Sequence, residues 1–70
     1  MHRIHIKSST IRSVGYETDY QTLELEFNSG EVYRYFKVPE LHYTGLLEAV
    51  SHGQYFNLHI KDHYLYRKVT

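Results

Sequence analysis

Residues 22–35 have the sequence TLELEFNSGEVYRY, which carries the strongest local structural signal in the chain. Apolar and polar residues alternate over its first six positions, which is the two-residue period of a half-buried β-strand. The next three residues end in Gly30 and are typical of a hairpin loop whose glycine is in the left-handed conformation. We therefore predict a β-hairpin in which Leu25 lies opposite Tyr33 and Arg34 points to the outer face.

Segments on both sides of the hairpin extend the predicted sheet. Residues 11–16 have strand composition, but their apolar spacing breaks the two-residue period and indicates a bulge or bend near residues 13–15. Residues 2–6 alternate weakly and are a candidate edge strand. Residues 64–69 are rich in strand-forming types and should close the sheet.

The pattern between the hairpin and the closing strand is helical. Pro39 suits the first turn of a helix because its missing N–H would have no partner there. One apolar stripe at helical spacing follows, formed by Tyr43, Leu46, Leu47 and Val50. Ser51 with Gln54 three residues later is a capping-box pattern, which predicts a second short helix.

These patterns predict an α+β fold in one domain over residues 1–70: a three-stranded antiparallel meander, two short helices and a closing C-terminal strand. The expected core draws on both the hairpin and the helices, and comprises Leu23, Leu25, Phe27, Tyr35, Leu46, Leu47, Val50 and Phe56. A chain of 70 residues buries only about 60% of its unfolded surface, so a large enclosed active site is not expected.

The composition excludes several classes of protein. There is no Cys, which excludes disulfides, thiolate metal sites and a cysteine nucleophile. No apolar run approaches the roughly 20 residues of a membrane helix, and no signal-peptide core follows Met1. We therefore expect a cytoplasmic protein that does not enter the membrane.

Charge is balanced in total but uneven along the chain. The eight bases and eight acids give a formal net charge of zero, which removes any whole-chain attraction to a polyanion. Residues 1–16 carry bases only and residues 17–31 carry acids only, whereas residues 32–70 are mixed with an excess of base. The simplest interpretation is that these charges lie on solvated strand faces and partly pair across the fold.

A series of short motifs runs through nearly the whole chain, from residue 8 to residue 67. In order they are Ser8-Ser9, Ile11 with Val14-Gly15-Tyr16, Leu23-x-Leu25-x-Phe27-x-x-Gly30, Tyr33-x-Tyr35-x-x-Val38-Pro39, Leu46-x-x-Ala49-x-Ser51-x-Gly53-x-Tyr55-Phe56-Asn57 and Ile60-Lys61-x-x-Tyr64-x-Tyr66. This order resembles the KTSC domain family, which is named for its place at the C-terminus of some lysyl-tRNA synthetases and also occurs as small free-standing proteins of bacteria and phages. The resemblance implies a domain type and supplies no catalytic residues or cofactor.

An appendage of a tRNA-charging enzyme suggests contact with nucleic acid, either RNA or single-stranded DNA. The candidate phosphate contacts are Arg12, Lys61, Arg67 and Lys68, and the candidate stacking rings are Tyr55, Tyr64 and Tyr66. Because most of these residues cluster near the C-terminus, we predict that the last three bases form one continuous patch with at least one exposed ring. Two observations weigh against this hypothesis: the net charge is zero, and aromatic residues in so small a chain more often form its core.

The competing hypothesis is a module for binding a protein partner or for self-association into a homo-oligomer. A small core and an exposed edge at residues 2–6 would both be relieved by pairing with another chain. The sequence ranks this hypothesis almost level with nucleic-acid binding.

The sequence gives less support to the hypothesis of an enzyme, and we assign no catalytic residue, cofactor or metal ligand. His59 and His63 would share a face on a continued helix, at a spacing that can hold a metal. Asp62 or His52 could be the third ligand, but two histidines without a committed third ligand are usually polar surface. Ser8 and Ser9 are better explained as caps at the entry to the first strand than as nucleophiles. Asn57 is expected to form a structural hydrogen bond.

Overall fold

In a computed structural model that describes residues 1–70, one five-stranded antiparallel sheet carries two helices on one face. The elements in chain order are β1 (Ile4–His5), β2 (Ile11–Glu17), β3 (Thr22–Phe27), β4 (Val32–Tyr35), α1 (Glu40–Glu48), α2 (His52–His59) and β5 (Tyr66–Lys68). Every strand pairs with the next, so the spatial order is β1-β2-β3-β4-β5. The α+β prediction is confirmed, but the meander is longer than the three strands predicted, because the short candidate edge strand also pairs.

The central hairpin has the predicted register. Leu25 lies opposite Tyr33, and Leu23 lies opposite Tyr35. The loop closes because Gly30 adopts a φ of 97° and donates its N–H to the Phe27 carbonyl at 2.9 Å. A residue with a Cβ is strained in this backbone conformation, so the glycine fixes which residues face each other.

A bulge in β2 explains its broken apolar period. The pairing with β3 shifts between Ile11 and Ser13, which leaves Arg12 as the extra residue, just before the predicted position. The bulge allows Ile11 and Val14 to be fully buried on the same face although they are three residues apart. Ser8 accepts hydrogen bonds from two backbone N–H groups at the entry to this strand, as expected of a cap.

The outer face of the sheet is covered at its centre by the N-terminal segment. Gly15 lies directly beneath this segment, where an added Cβ would approach the His2 carbonyl to 2.6 Å. Glu24 is next to it on the same face and is only 3% exposed. Its carboxylate accepts hydrogen bonds from Arg34, at 2.7 Å, and from Arg3. Burial by itself would raise the pKa of Glu24, but the two arginines lower it below its ordinary value.

Helix α1 is shorter than its apolar stripe predicted. The helix ends at Glu48, Ala49 is extended with a ψ of 145°, and Val50 is completely exposed. The prediction of a buried Val50 is therefore wrong, because the chain leaves the helix before that position returns to the core face. Leu46 is fully buried, whereas Leu47 and Phe27 are only partly buried.

Helix α2 begins as the capping pattern predicted. Ser51 Oγ accepts a hydrogen bond from the Gln54 N–H at 3.2 Å. At the other end, the N–H groups of Ile60 and Lys61 both donate to the Phe56 carbonyl, and Asp62 follows with a φ of 67°. This left-handed residue reverses the chain toward β5.

The core lies between the sheet and the two helices. Its buried apolar side chains are Ile11, Val14, Leu23, Leu25, Tyr35, Val38, Leu46, Phe56 and Ile60. Neither helix has the length and apolar character required to cross a membrane.

Candidate functional site

An open groove of about 550 Å³ runs along the helical face of the sheet, between the β3–β4 hairpin, α2 and β5. Its aromatic lining is formed by Phe27, Tyr33, Tyr35, Phe56 and Tyr66. Its polar lining is formed by Ser9, Thr10, Asn28, Ser29, Glu31, Asn57, Lys61 and Asp62. An aromatic floor with a polar rim is typical of a binding site for a flat or extended ligand.

The floor of the groove is a set of interlocked rings. Phe56 packs edge-to-face against both Phe27 and Tyr35. The distance between ring centroids is 5.4 Å to Phe27 and 5.6 Å to Tyr35. Edge-to-face packing of this kind is the geometry that aromatic pairs prefer. Burial raises the pKa of Tyr35 to about 12, with further contributions from Tyr33, Tyr66 and Asp62, so its hydroxyl stays protonated at neutral pH.

Tyr66 forms the outer wall of the groove. Its ring lies 5.7 Å from Tyr33 and 5.6 Å from Tyr35, yet the residue is 59% exposed. Because Tyr66 lies opposite Tyr35 in the sheet, it points to the helical face. One wall of the groove is therefore a ring held by its neighbours and open to solvent.

Two adjacent charges of opposite sign lie at the end of the groove that follows α2. Lys61 and Asp62 are both exposed, and neither takes part in a salt bridge. The Asp62 charge contributes to the raised pKa of Tyr35, so its carboxylate acts on the groove floor. These two side chains can offer a cation and a pair of acceptor oxygens to a ligand.

The charges at the opposite end are already paired. Lys68 Nζ lies 3.1 Å from the Glu31 carboxylate, and this hydrogen bond raises the pKa of Lys68. Glu31 lines the groove and is also close to the Ser29 hydroxyl. This end of the groove is consequently neutral.

The structure divides the predicted nucleic-acid contacts between several surfaces. Lys61 and Tyr66 line the groove together, and Lys68 lies on the same face of the sheet. Arg67 lies opposite Arg34 on the outer face, because side chains alternate along β5. Arg12 donates to the Asn28 carbonyl at 3.4 Å, next to the groove.

The other two predicted rings belong to a separate cluster between the helices. The Tyr55 hydroxyl and His42 Nδ1 share a hydrogen bond of 3.0 Å, and the Tyr64 ring centroid is 6.0 Å from His42. Tyr55 packs directly against Gly45, where a Cβ would collide with its hydroxyl. Burial, and then the nearby His59 and His63, lower the pKa of His42. Tyr55 and Tyr64 are thus packing residues rather than groove walls.

The two histidines considered as metal ligands do not share a helical face. Helix α2 ends at His59, which stacks on His42, while His63 lies beyond the helix with Nε2 3.1 Å from the Leu58 carbonyl. No group of three His, Asp or Glu side chains is placed to hold a metal ion.

Sequence reasoning missed most of the groove. Asn57 was expected to make a structural hydrogen bond, but it is exposed, lines the groove, and its side-chain amide makes no hydrogen bond within the protein. Asp62 was considered only as a metal ligand. The available signal was the pair of tyrosines at alternate positions of β4, which the hairpin register places on the same face as Phe56.

The KTSC domain family model matches residues 7–64. The chain belongs to the KTSC domain family. This finding confirms the resemblance carried by the motifs.

Three relatives show where KTSC domains occur. The chain is 46% identical over 70 residues to an uncharacterized protein of Stutzerimonas stutzeri, and the match covers 99% of each. It is 44% identical over 64 residues to a lysine–tRNA ligase of Trichormus variabilis, covering 91% of this chain and 11% of the ligase. A crystal structure of a KTSC domain protein from Yersinia pestis superposes with a TM-score of 0.96 at 38% identity, covering 99% of this chain and 97% of that one. The same domain therefore forms nearly all of some proteins and a small part of a tRNA ligase.

Proposed function

We propose that this KTSC domain is a non-catalytic module that binds single-stranded nucleic acid, with RNA as the first candidate. The observation that carries the proposal is the exposed Tyr66 ring, which walls an aromatic groove beside the unpaired Lys61. In this proposal one unstacked base lies against Tyr66, and Lys61 contacts a neighbouring phosphate.

The energetics of stacking support a single-base site. Stacking of one base on an aromatic side chain contributes about 1–3 kcal/mol and tolerates any sequence. Tyr33 and Tyr35 hold the Tyr66 ring from behind, so little side-chain freedom is lost when a base lies on it. The protonated Tyr35 hydroxyl adds a hydrogen-bond donor on the groove floor.

The charge distribution sets the strength expected of this binding. The net charge is zero, and Lys61 is the only base that lines the groove. For single strands the logarithm of affinity falls with the logarithm of salt by about 0.7 per phosphate contact. One or two contacts therefore predict a shallow salt dependence and weak affinity, as suits a module that assists a larger assembly. The tRNA ligase relative is one protein in which such a module would be useful.

Fluorescence anisotropy with a labelled eight-nucleotide RNA, and with the same sequence as DNA, tests the proposal at low salt. We expect Tyr66→Ala to weaken binding about tenfold, because the stacking surface is lost. Tyr20→Ala is the matched control, since Tyr20 is 80% exposed in the β2–β3 turn, away from the groove. Absence of binding at ~100 μM protein, or equal loss in the two variants, would overturn the proposal.

One observation favours a second candidate, a protein-binding or self-associating module. Strand β5 is an open sheet edge, and the adjacent Leu65 is 82% exposed. An extended segment of another chain can add to such an edge through backbone hydrogen bonds. Sedimentation across a concentration series would support this candidate if it revealed a dimer that Leu65→Asp dissociates, and a monomer at all concentrations would count against self-association.

A further inference from the structure

We propose that the groove prefers guanine among the four bases and that Asp62 is the residue that selects it. This inference rests on the proposed function and adds to it the identity of the base. Asp62 lines the groove at the end that follows α2, and its carboxylate forms no salt bridge.

Guanine is the base whose edge matches the Asp62 carboxylate. Its N1–H and exocyclic N2 amino group are adjacent donors, which a carboxylate can accept together as a bidentate pair. Lys61 remains free to contact the phosphate next to this base, as the proposed function requires.

The other bases leave the Asp62 carboxylate poorly satisfied. Adenine and cytosine each present one amino donor beside a ring-nitrogen acceptor, and that acceptor repels a carboxylate. Uracil presents one N–H between two carbonyl oxygens. Each of these bases can give the carboxylate one hydrogen bond at most, next to at least one unfavourable contact.

Asp62 is built into the groove by the local backbone. Its left-handed conformation, with a φ of 67°, is one that Asp and Asn adopt more readily than most other residues. The residue lies in the turn that follows α2, and it lines the groove together with Tyr35 and Tyr66. It forms no salt bridge, so its oxygens are available to a ligand.

The test uses labelled RNA pentamers that differ only in the central base: UUGUU, UUAUU, UUCUU, UUUUU and the inosine analogue of the first. We expect the guanine pentamer to bind about tenfold more tightly than the adenine, cytosine and uracil pentamers. Inosine lacks the N2 amino group, so its pentamer should bind with intermediate affinity.

The decisive variant is Asp62→Asn, which keeps the size of the side chain and tolerates the left-handed backbone but replaces one acceptor oxygen with a donor. It should bind all pentamers alike, at the affinity of the wild-type protein for UUUUU. Asp19→Asn, in the β2–β3 turn, is the matched control and should keep the guanine preference.

The outcomes separate this inference from the proposed function. Equal binding of all pentamers by the wild-type protein would overturn the guanine preference while leaving the nucleic-acid proposal intact. A guanine preference that survives Asp62→Asn would overturn the role of Asp62. Failure of every pentamer to bind would overturn both.

Discussion

Replacing Glu24 by Gln should destabilise the fold far more than removing an exposed acid does. The Glu24 side chain is 5% exposed, and it lies between Arg3 and Arg34, which are 29% and 43% exposed. Glutamine has nearly the same shape, so the variant removes the charge without leaving a cavity. It also turns one acceptor oxygen into a donor that faces an arginine.

The magnitude follows from the two hydrogen bonds that the carboxylate accepts. Each hydrogen bond to a charged group contributes about 1.5–3 kcal/mol when buried. Because both arginines are partly in water, we reduce this range and expect a total loss of about 2 kcal/mol. Glu31→Gln is the control, and it should change the free energy of unfolding very little, since Glu31 and Lys68 are both about half exposed.

Urea denaturation followed by far-ultraviolet circular dichroism measures both variants. The lowered pKa of Glu24 adds a second test, because the carboxylate stabilises the fold only where it is ionised. The difference in free energy of unfolding between wild type and Glu24→Gln should be complete at neutral pH. It should shrink as the pH falls below the unfolded-state pKa of about 4.3 and then through the lower folded-state pKa. Equal effects of Glu24→Gln and Glu31→Gln at neutral pH would show that the buried carboxylate stabilises the fold no more than an exposed one.

Two further predictions concern the core and the groove floor. Leu46→Ala should cost about 2–5 kcal/mol in urea denaturation because Leu46 is fully buried, Leu47→Ala should cost less, and Val50→Ala should be close to neutral. An equal loss for Leu46 and Val50 would mean that α1 packs differently. Since the folded-state pKa of Tyr35 is raised to about 12, its contribution to stability should be complete below pH 10 and should be lost as the pH rises to about 12. The free energy of unfolding of Tyr35→Phe should therefore fall less between pH 10 and about 12 than that of Tyr20→Phe.

The hairpin was predictable because all of its determinants are local. Alternation selected the buried face, and Gly30 fixed the register, so the pairing of Leu25 with Tyr33 followed from residues close in sequence. The end of α1 was harder to locate, because two local signals compete there. The apolar stripe extends to Val50, but Ser51 can cap α2 only from an extended backbone, and the cap prevails.

The groove could not be assembled from the sequence because its walls come from distant segments. The hairpin supplies Phe27 and Tyr33, and the turn after α2 supplies Asp62, more than 25 residues later. The clustering of bases and rings near the C-terminus suggested one surface there, yet alternation along β5 separates Tyr66 from Arg67. The burial of Glu24 could not be predicted from the sequence either, because it depends on the N-terminal segment crossing the sheet at Gly15.

The shortness of β5 has a consequence for how the groove works over time. This strand has three exposed residues, occupies one edge of the sheet and is joined to β4 alone. Such a segment opens locally at a lower free energy than the central strands, so its amide hydrogens should exchange with solvent earlier than those of β3. Because Tyr66 belongs to this segment, every local opening removes one wall of the groove. A ligand held by Tyr66 binds only the closed form, so its apparent affinity is proportional to the fraction of molecules in which β5 is closed. The affinity of the groove is thereby coupled to the stability of a single edge strand.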